Sequence, residues 1–388
     1  MKKNRILFVA EELNINGAMM SLLALLRALP MEKYDLSLFL FKHGGELMSQ
    51  LPKHIDVLPE LFPYAVHRMA LKDALKETIK RGRIDLMFYR VLVSFQRYFK
   101  LDYNLWAFLP SIKSDFDIAC CYTDGFVAAM TMRKTVATKK ICWIHYVYTK
   151  EPQPKYVYNA LIKANICVPV SIEAGKALSQ ILGVKVKQHI IHNITDASVC
   201  IDRASEPCER PRIEGVSRVV SVGRVTFAKY FEIIPAVAQK LKTSGIRFEW
   251  YIIGMGEQYA ELVDMVDRMN LSDCVYFIGP RDNPMPWIKS ADVFVNPSRY
   301  ESWGMTVSEA LCLGKAVITS DIPVFAEQIR NEENGLMCSV VPENLANAII
   351  RVLTDEQLRH KLEANAIKYP FTKESIVMEF DEMIQNLI

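Results

Sequence analysis

Short apolar runs alternate with segments of helical period along the chain. In the first half, the runs at 6–10, 36–41, 118–122, 140–144 and 166–170 read as buried strands. The segment 18–29 reads as an amphipathic helix, with Asn16 as its cap and Pro30 just beyond it. A second series follows, with strand-like runs at 218–222, 248–253, 275–278, 293–296 and 316–319. Helical runs at 231–242, 259–270, 306–313, 345–354 and 356–368 are interleaved with these strands. Alternation at this spacing builds βαβ units and parallel sheets. Between the two series, 202–215 holds Pro207, Pro211, Gly215 and many charges, the texture of a linker. Two doubly wound α/β domains are therefore expected. Ligands of such sheets sit at the carboxyl ends of the strands, which places the expected site in a cleft that the two domains face.

Composition narrows the class. A chain of 388 residues with 51% apolar types can fill two cores, and 47 Lys and Arg against 44 Asp and Glu argue against an overall nucleic-acid binder. Nine scattered cysteines without a CxxC pair fit a reducing cytoplasm. The first apolar run stops at Glu11 and Glu12, too short for a signal peptide, and no run reaches the roughly 18 residues of a membrane span.

The densest chemistry lies in 294–321. A strand ends at Asn296, Pro297 and Gly304 break the chain, and a helix is expected from about Thr306. Glu301 falls in the loop and Glu309 in the first helical turn, so two carboxylates and the free amides of a helix start meet at a strand end. The amides around Gly304, Met305 and Thr306 suit an anion such as a diphosphate. Glu309 can accept hydrogen bonds from ribose hydroxyls, and Glu301 from sugar hydroxyls. The alternative is a capping box over Thr306 and Glu309 that needs no ligand. In 219–234 a strand runs into Gly223 and Arg224, with Lys229 at the next helix start. Two cations there can grip a departing diphosphate, or they are solvated surface charges.

These residues together resemble the donor-binding domain of retaining nucleotide-sugar glycosyltransferases of the GT-B fold, which carry a Glu-x7-Glu motif. Glu301 and Glu309 match that motif, Arg224 and Lys229 the phosphate-gripping pair, and 334–340 the later Asn-Gly turn. Asn16, Gly17 and Ala18 resemble the Gly-Gly-Ala loop, with asparagine in place of the first glycine, and 168–196 resembles the segment before the linker. Tyr230 departs from the pattern, standing where the family has glycine. The resemblance implies an acceptor-binding domain at 1–200 and a donor-binding domain at 201–368. A helix at 369–388 is expected to pack back on the first domain after a turn at Pro370. It also implies donor contacts at Gly17, Gly223, Arg224, Lys229, Gly304, Met305, Thr306 and Glu309, with Glu301, Arg224, Lys229 and His145 as catalytic residues. His145 ends the run 141–145, where the family places a histidine near the donor sugar. Asp124 is an acceptor-side candidate.

Other motifs mislead. Gly254 and Gly256 follow a strand, but a dinucleotide fingerprint needs a third glycine where Tyr259 stands. Asp115 and Asp117 form an Asp-x-Asp pattern that reads as a loop ahead of a strand, the wrong edge for catalysis, so no catalytic metal and no cofactor beyond the sugar nucleotide itself is expected. In 67–113 ten basic residues outnumber four acidic ones, Lys72, Lys76 and Lys80 share a helix face, and aromatics follow. That suits the surface of an anionic membrane; the other readings are a solvated helix followed by core aromatics, or an RNA contact. The expected activity is retaining transfer of a hexosyl or N-acetylhexosaminyl group from a nucleoside-diphosphate sugar to a glycan or lipid-linked glycan. Its setting would be cell-surface polysaccharide biosynthesis, in the cytoplasm at the inner face of the membrane, with no nucleic-acid partner. A nucleotide-sugar 2-epimerase and a non-catalytic sugar-nucleotide-binding subunit are the alternatives.

Overall fold

The computed structural model describes residues 3–99, 109–149, 153–183, 186–368 and 371–388. The chain divides into two units, one of 1–170, 174–192 and 377–388, the other of 171–173 and 193–376. Each is a six-stranded parallel sheet covered by helices.

In the first unit the strands are β1 (Asn4–Ala10), β2 (Tyr34–Leu40), β3 (Asp56–Val57), β4 (Ile112–Cys121), β5 (Thr135–Ile144) and β6 (Ile166–Pro169), in the order β3-β2-β1-β4-β5-β6. The helices preceding and within it are α1 (Gly17–Ala28), α2 (Phe62–Arg68), α3 (Leu71–Lys80), α4 (Ile84–Tyr98), α5 (Phe126–Lys134), α6 (Lys155–Lys163) and α7 (Ile172–Leu182). The apolar runs form strands because both faces are covered: β1 is buried from Ile6 to Ala10. Asn16 caps α1 as its spacing predicts, its Oδ1 accepting from the Met19 amide at 3.0 Å.

After α8 (Ala197–Arg203), the second sheet holds β7 (Ser217–Val222), β8 (Phe248–Ile253), β9 (Val275–Gly279), β10 (Val293–Asn296), β11 (Val317–Ser320) and β12 (Leu336–Cys338), in the order β12-β11-β10-β7-β8-β9. Its helices are α9 (Ile234–Thr243), α10 (Tyr259–Arg268), α11 (Met285–Ser290), α12 (Met305–Cys312), α13 (Pro342–Thr354) and α14 (Glu356–Ala366). The linker is tied to this unit. Arg218 is buried on β7 and donates to the carbonyls of Arg210 at 3.1 Å and Pro211 at 2.8 Å, while Arg281 grips Glu209 with two hydrogen bonds.

The last helix, α15 (Lys373–Leu387), places Phe380 among the first unit's aromatics, 5.7 Å from the Tyr34 ring and 6.3 Å from Trp143. Pro370 lies outside the described residues. Three readings need correction. Two of the four edge strands, β3 and β12, are not among the expected ones, because they are too short to stand out as apolar runs. The helix expected from 231 opens as a tight turn over Phe231–Ile233 and becomes α-helical only at Ile234. Asp115 and Asp117 lie inside β4, not in a loop before it, because the strand starts early across an irregularity in its pairing with β5. Asp117 accepts there from the Arg5 amide at 2.8 Å.

Candidate functional site

In the second sheet the strand order reverses between β7 and β10, which lie side by side. A doubly wound sheet opens a crevice where its order reverses, because the loops leave toward opposite faces. The loops there are 223–229 and 297–304, which contain most of the residues singled out from sequence. Their neighbour, the loop after β8, is laid tightly against them. Gly223 donates to Ile253 O at 3.0 Å, Val225 to Met255 O at 3.0 Å, and Gly254 to Gly279 O at 3.0 Å. A Cβ on Gly254 would stand 1.9 Å from Gly223 O, and one on Gly256 would stand 2.2 Å from Val225 O. The two glycines that mimic a dinucleotide fingerprint therefore serve close approach of backbones.

Lys229 and Glu301 meet across the reversal as an ion pair, with side chains only 18% and 11% exposed. Ser298 Oγ lies 2.6 Å from Asn296 Oδ1 and 3.2 Å from the same Glu301 oxygen, so its single hydrogen serves one acceptor at a time, the nearer being Asn296. Ala228 O accepts from the Arg299 amide at 2.8 Å and fastens the two loops together. Arg224 is different: it is exposed and has no ion pair among the described residues. So the expected pair of free cations is one free arginine and one lysine already held by a carboxylate. Tyr230 has φ +55°, in the left-handed region that favours glycine. The Arg299 guanidinium lies over its ring at 3.4 Å and holds it there.

The helix after the loop begins at Met305, capped by Gly304 at φ +89°, where a Cβ would strike the Phe325 ring at 2.7 Å. The capping box does not form: Thr306 is the second residue of α12, not its cap, and its Oγ1 is buried with no hydrogen-bond partner among the described residues. The Val307 amide donates to Gly304 O at 2.9 Å, and the amides ahead of it, those of Met305 and Thr306, are the ones a helix start leaves without intrahelical acceptors. Glu309 sits one turn further, 8% exposed, with the Arg203 charge of α8 acting on it. Burial raises its pKa to about 7, and Arg203 only partly offsets that. Asn334 is structural, accepting from the Arg330 amide and donating to Gln328 O, which shapes the turn into β12.

In the first sheet the order reverses between β1 and β4. A cavity of about 420 Å³ opens there, lined by Glu11, Glu12, Asn14, Asn16, Met19, Arg68, Thr123, Asp124, Phe126, Val127 and Tyr156. Asp124 accepts from Tyr148 Oη at 2.7 Å, and burial raises its pKa above the usual carboxylate range. Glu11 is paired with Arg68 at 2.5 Å and Glu12 with Lys42 at 2.6 Å. Neither Gly17, exposed at the start of α1, nor His145 lines this cavity. His145 follows β5, 5.0 Å from the Tyr122 ring, with Nε2 buried and without a hydrogen-bond partner among the described residues. Burial lowers its pKa to about 3, so the ring is neutral. Sequence reading missed Glu11, Glu12, Arg68 and Tyr156. The two glutamates follow β1 directly, and their signal was the strand adjacency that the sequence does not display.

The solved structure of HepE from Anabaena, in complex with UDP and glucose, superimposes over 99% of this chain and 100% of its own, with a TM-score of 0.72 at 16% identity. The O-antigen biosynthesis glycosyltransferase WclY of Escherichia coli is 28% identical over 206 residues, 52% of this chain and 56% of that protein. The lipopolysaccharide core biosynthesis glycosyltransferase LpsE of Rhizobium meliloti is 31% identical over 187 residues, 47% and 52% of the two chains. The chain thus spans about half the length of the curated relatives it matches. The fold is that of GT-B proteins, two Rossmann-like domains, and residues 205–369 match the family described as Glycosyl transferases group 1.

Proposed function

We propose that the protein transfers a hexosyl or N-acetylhexosaminyl group from a nucleoside-diphosphate sugar to a hydroxyl of a glycan or lipid-linked glycan, with retained anomeric configuration. Cell-surface polysaccharide assembly is the setting that the relatives' names, O-antigen biosynthesis and lipopolysaccharide core biosynthesis, support. The observation that carries the reading is the cluster at the strand-order reversal of the second sheet. Arg224, the Lys229–Glu301 pair and the start of α12 are brought together there by two loops.

Each group then has a task. The exposed Arg224 and the amides of Gly304, Met305 and Thr306 bind the diphosphate and stabilise the charge it gains as the glycosidic bond breaks. One such preorganised donor is worth roughly 3 kcal/mol. This one cation and the amide dipoles do the charge neutralisation, so the reaction is metal-independent on this reading. Lys229 positions Glu301, whose carboxylate takes sugar hydroxyls and whose charge the lysine balances. Glu309 takes the ribose hydroxyls as a carboxylate, which ties donor binding to its ionisation. In the first unit, Asp124 and its cavity receive the acceptor, while Gly17 and neutral His145, which do not line that cavity, keep the donor-side roles that the resemblance implies. No covalent nucleophile is assigned; the departing phosphate takes the proton of the attacking hydroxyl, as in the resembling family.

The test is incubation with a panel of UDP-, GDP- and ADP-sugars. One donor is expected to be hydrolysed slowly or transferred. Binding of none of them overturns the reading.

A further inference from the structure

Helix α4 carries apolar residues on two opposite faces. Leu86, Tyr89 and Val93 are buried on the first unit's core. At about 100° per residue, Ile84, Phe88, Val91, Leu92, Phe95 and Tyr98 project within an opposite arc of about 120°. All six are exposed, from 45% at Val91 to 81% at Tyr98, and no charged residue interrupts them. Water leaves such a stripe open only at a cost, so an exposed stripe of this size marks a partner surface. The residues expected from sequence as core aromatics are, in Phe88, Phe95 and Tyr98, outward ones.

The flank identifies the partner. Of the basic residues counted in this region, Arg68 pairs with Glu11, Arg81 with Glu77, and Arg83 with Asp85. Arg90 is buried, donating to Met69 O at 2.7 Å. Lys72, Lys76 and Lys80 of α3, the helix beside α4, are exposed and unpaired among the described residues, and the exposed Ile79 shares their face. Lys100, Tyr103, Trp106 and Phe108 lie outside the described residues. An apolar stripe on one helix and exposed lysines, unpaired among the described residues, on the helix packed beside it fit a surface that is apolar beneath and anionic above. A protein groove would need acidic residues at its rim and would not need aromatics at the end of the stripe. Among the described residues no helix is long and apolar enough to cross a membrane, so the helix would lie in the plane of the interface.

We propose that α4 inserts its outward stripe into the headgroup boundary of an anionic bilayer while Lys72, Lys76 and Lys80 hold the lipid charge. This stands independently of the transfer reaction, since it needs no sugar nucleotide.

The experiment is vesicle co-sedimentation of the full chain with phosphatidylcholine, alone or mixed with phosphatidylglycerol. Binding is expected only with the anionic lipid. The triple change Lys72→Glu, Lys76→Glu, Lys80→Glu should weaken it about hundredfold, and Phe88→Ser with Phe95→Ser roughly tenfold or more. Melting temperature, read in parallel, should hold steady for both. A Phe95→Trp variant should blue-shift on the vesicles and be quenched by brominated lipid chains. No binding to anionic vesicles, or binding without quenching at position 95, overturns the proposal. So does a dimer in sedimentation velocity that Phe88→Ser with Phe95→Ser dissolves while vesicles are ignored, because the stripe would then pair two copies.

Discussion

The two units share one strand order and differ in what stands at the reversal. In the second, glycine-packed backbones and an ion pair close the loops beside Arg224, which has no ion pair among the described residues. In the first, the same topological point is an open cavity of about 420 Å³ rimmed with Glu11, Glu12 and Asp124. Topology fixed where each site lies, and the loops fixed its chemistry. A cationic, amide-lined point suits a diphosphate. A roomy one whose carboxylates are mostly paired suits, on the proposed reading, a polyhydroxylated acceptor.

The contrast can be broken most forcefully at Arg224. Arg224→Ala should lower kcat/KM for transfer by roughly 10²–10³, whereas Asp124→Asn should leave equilibrium binding of the sugar nucleotide unchanged and raise KM for the acceptor. If Asp124→Asn weakens donor binding as much as Arg224→Ala does, the two halves do not divide the work.

Next come the glycines. Gly254→Ala puts a methyl 1.9 Å from a carbonyl oxygen and should cost about 3 kcal/mol or more in urea denaturation. Gly125→Ala, in open space in the first unit but at φ +67° and ψ −130°, outside the left-handed helical well, meets no clash and should cost about 2 kcal/mol of backbone strain alone. Equal costs would erase the distinction between a packed and an open reversal.

Glu309 sharpens the comparison through pH. Its folded pKa, about 7, lies above the ordinary 4.5, so the folded state keeps a proton that the unfolded chain has released. That contribution to stability is fully present below pH 4.5 and is lost as pH rises through 7, about 3 kcal/mol in all. Glu309→Gln should flatten the decline and be the more stable protein at pH 8, while losing nucleotide affinity. If the variant only melts lower at every pH, the side chain is a plain structural contact.

The smallest effect is at Tyr230. Tyr230→Gly relieves a left-handed tyrosine worth about 1 kcal/mol but removes the ring under Arg299. Thermal melting should move by only a few degrees.

Much of this was legible because buried parallel strands write themselves as continuous apolar runs. Residues 248–253 and 293–296 coincide with β8 and β10. Glu301, Lys229 and Arg224 were legible because a Pro or Gly break after such a run marks a strand's carboxyl end. Tyr230 was visible as a departure from the family's glycine, and its positive φ explains why a glycine would stand there. What was not legible depends on adjacency. Nothing local says that Lys229 is spent on Glu301, that Glu11 faces Asp124's cavity, or that Thr306 fails to cap. The +6 balance of 67–113 likewise hid one pairing, because Arg68 finds Glu11, far outside the counted stretch, whereas Arg81 with Glu77 and Arg83 with Asp85 are local pairs inside it.

The most direct test of the central claim is calorimetric titration of the donor panel into the native chain and into Arg224→Ala. The account predicts that at least one nucleoside-diphosphate sugar binds the native chain and that the substitution weakens it by roughly tenfold or more. Binding that is indifferent to Arg224, or absent for every donor, would contradict it.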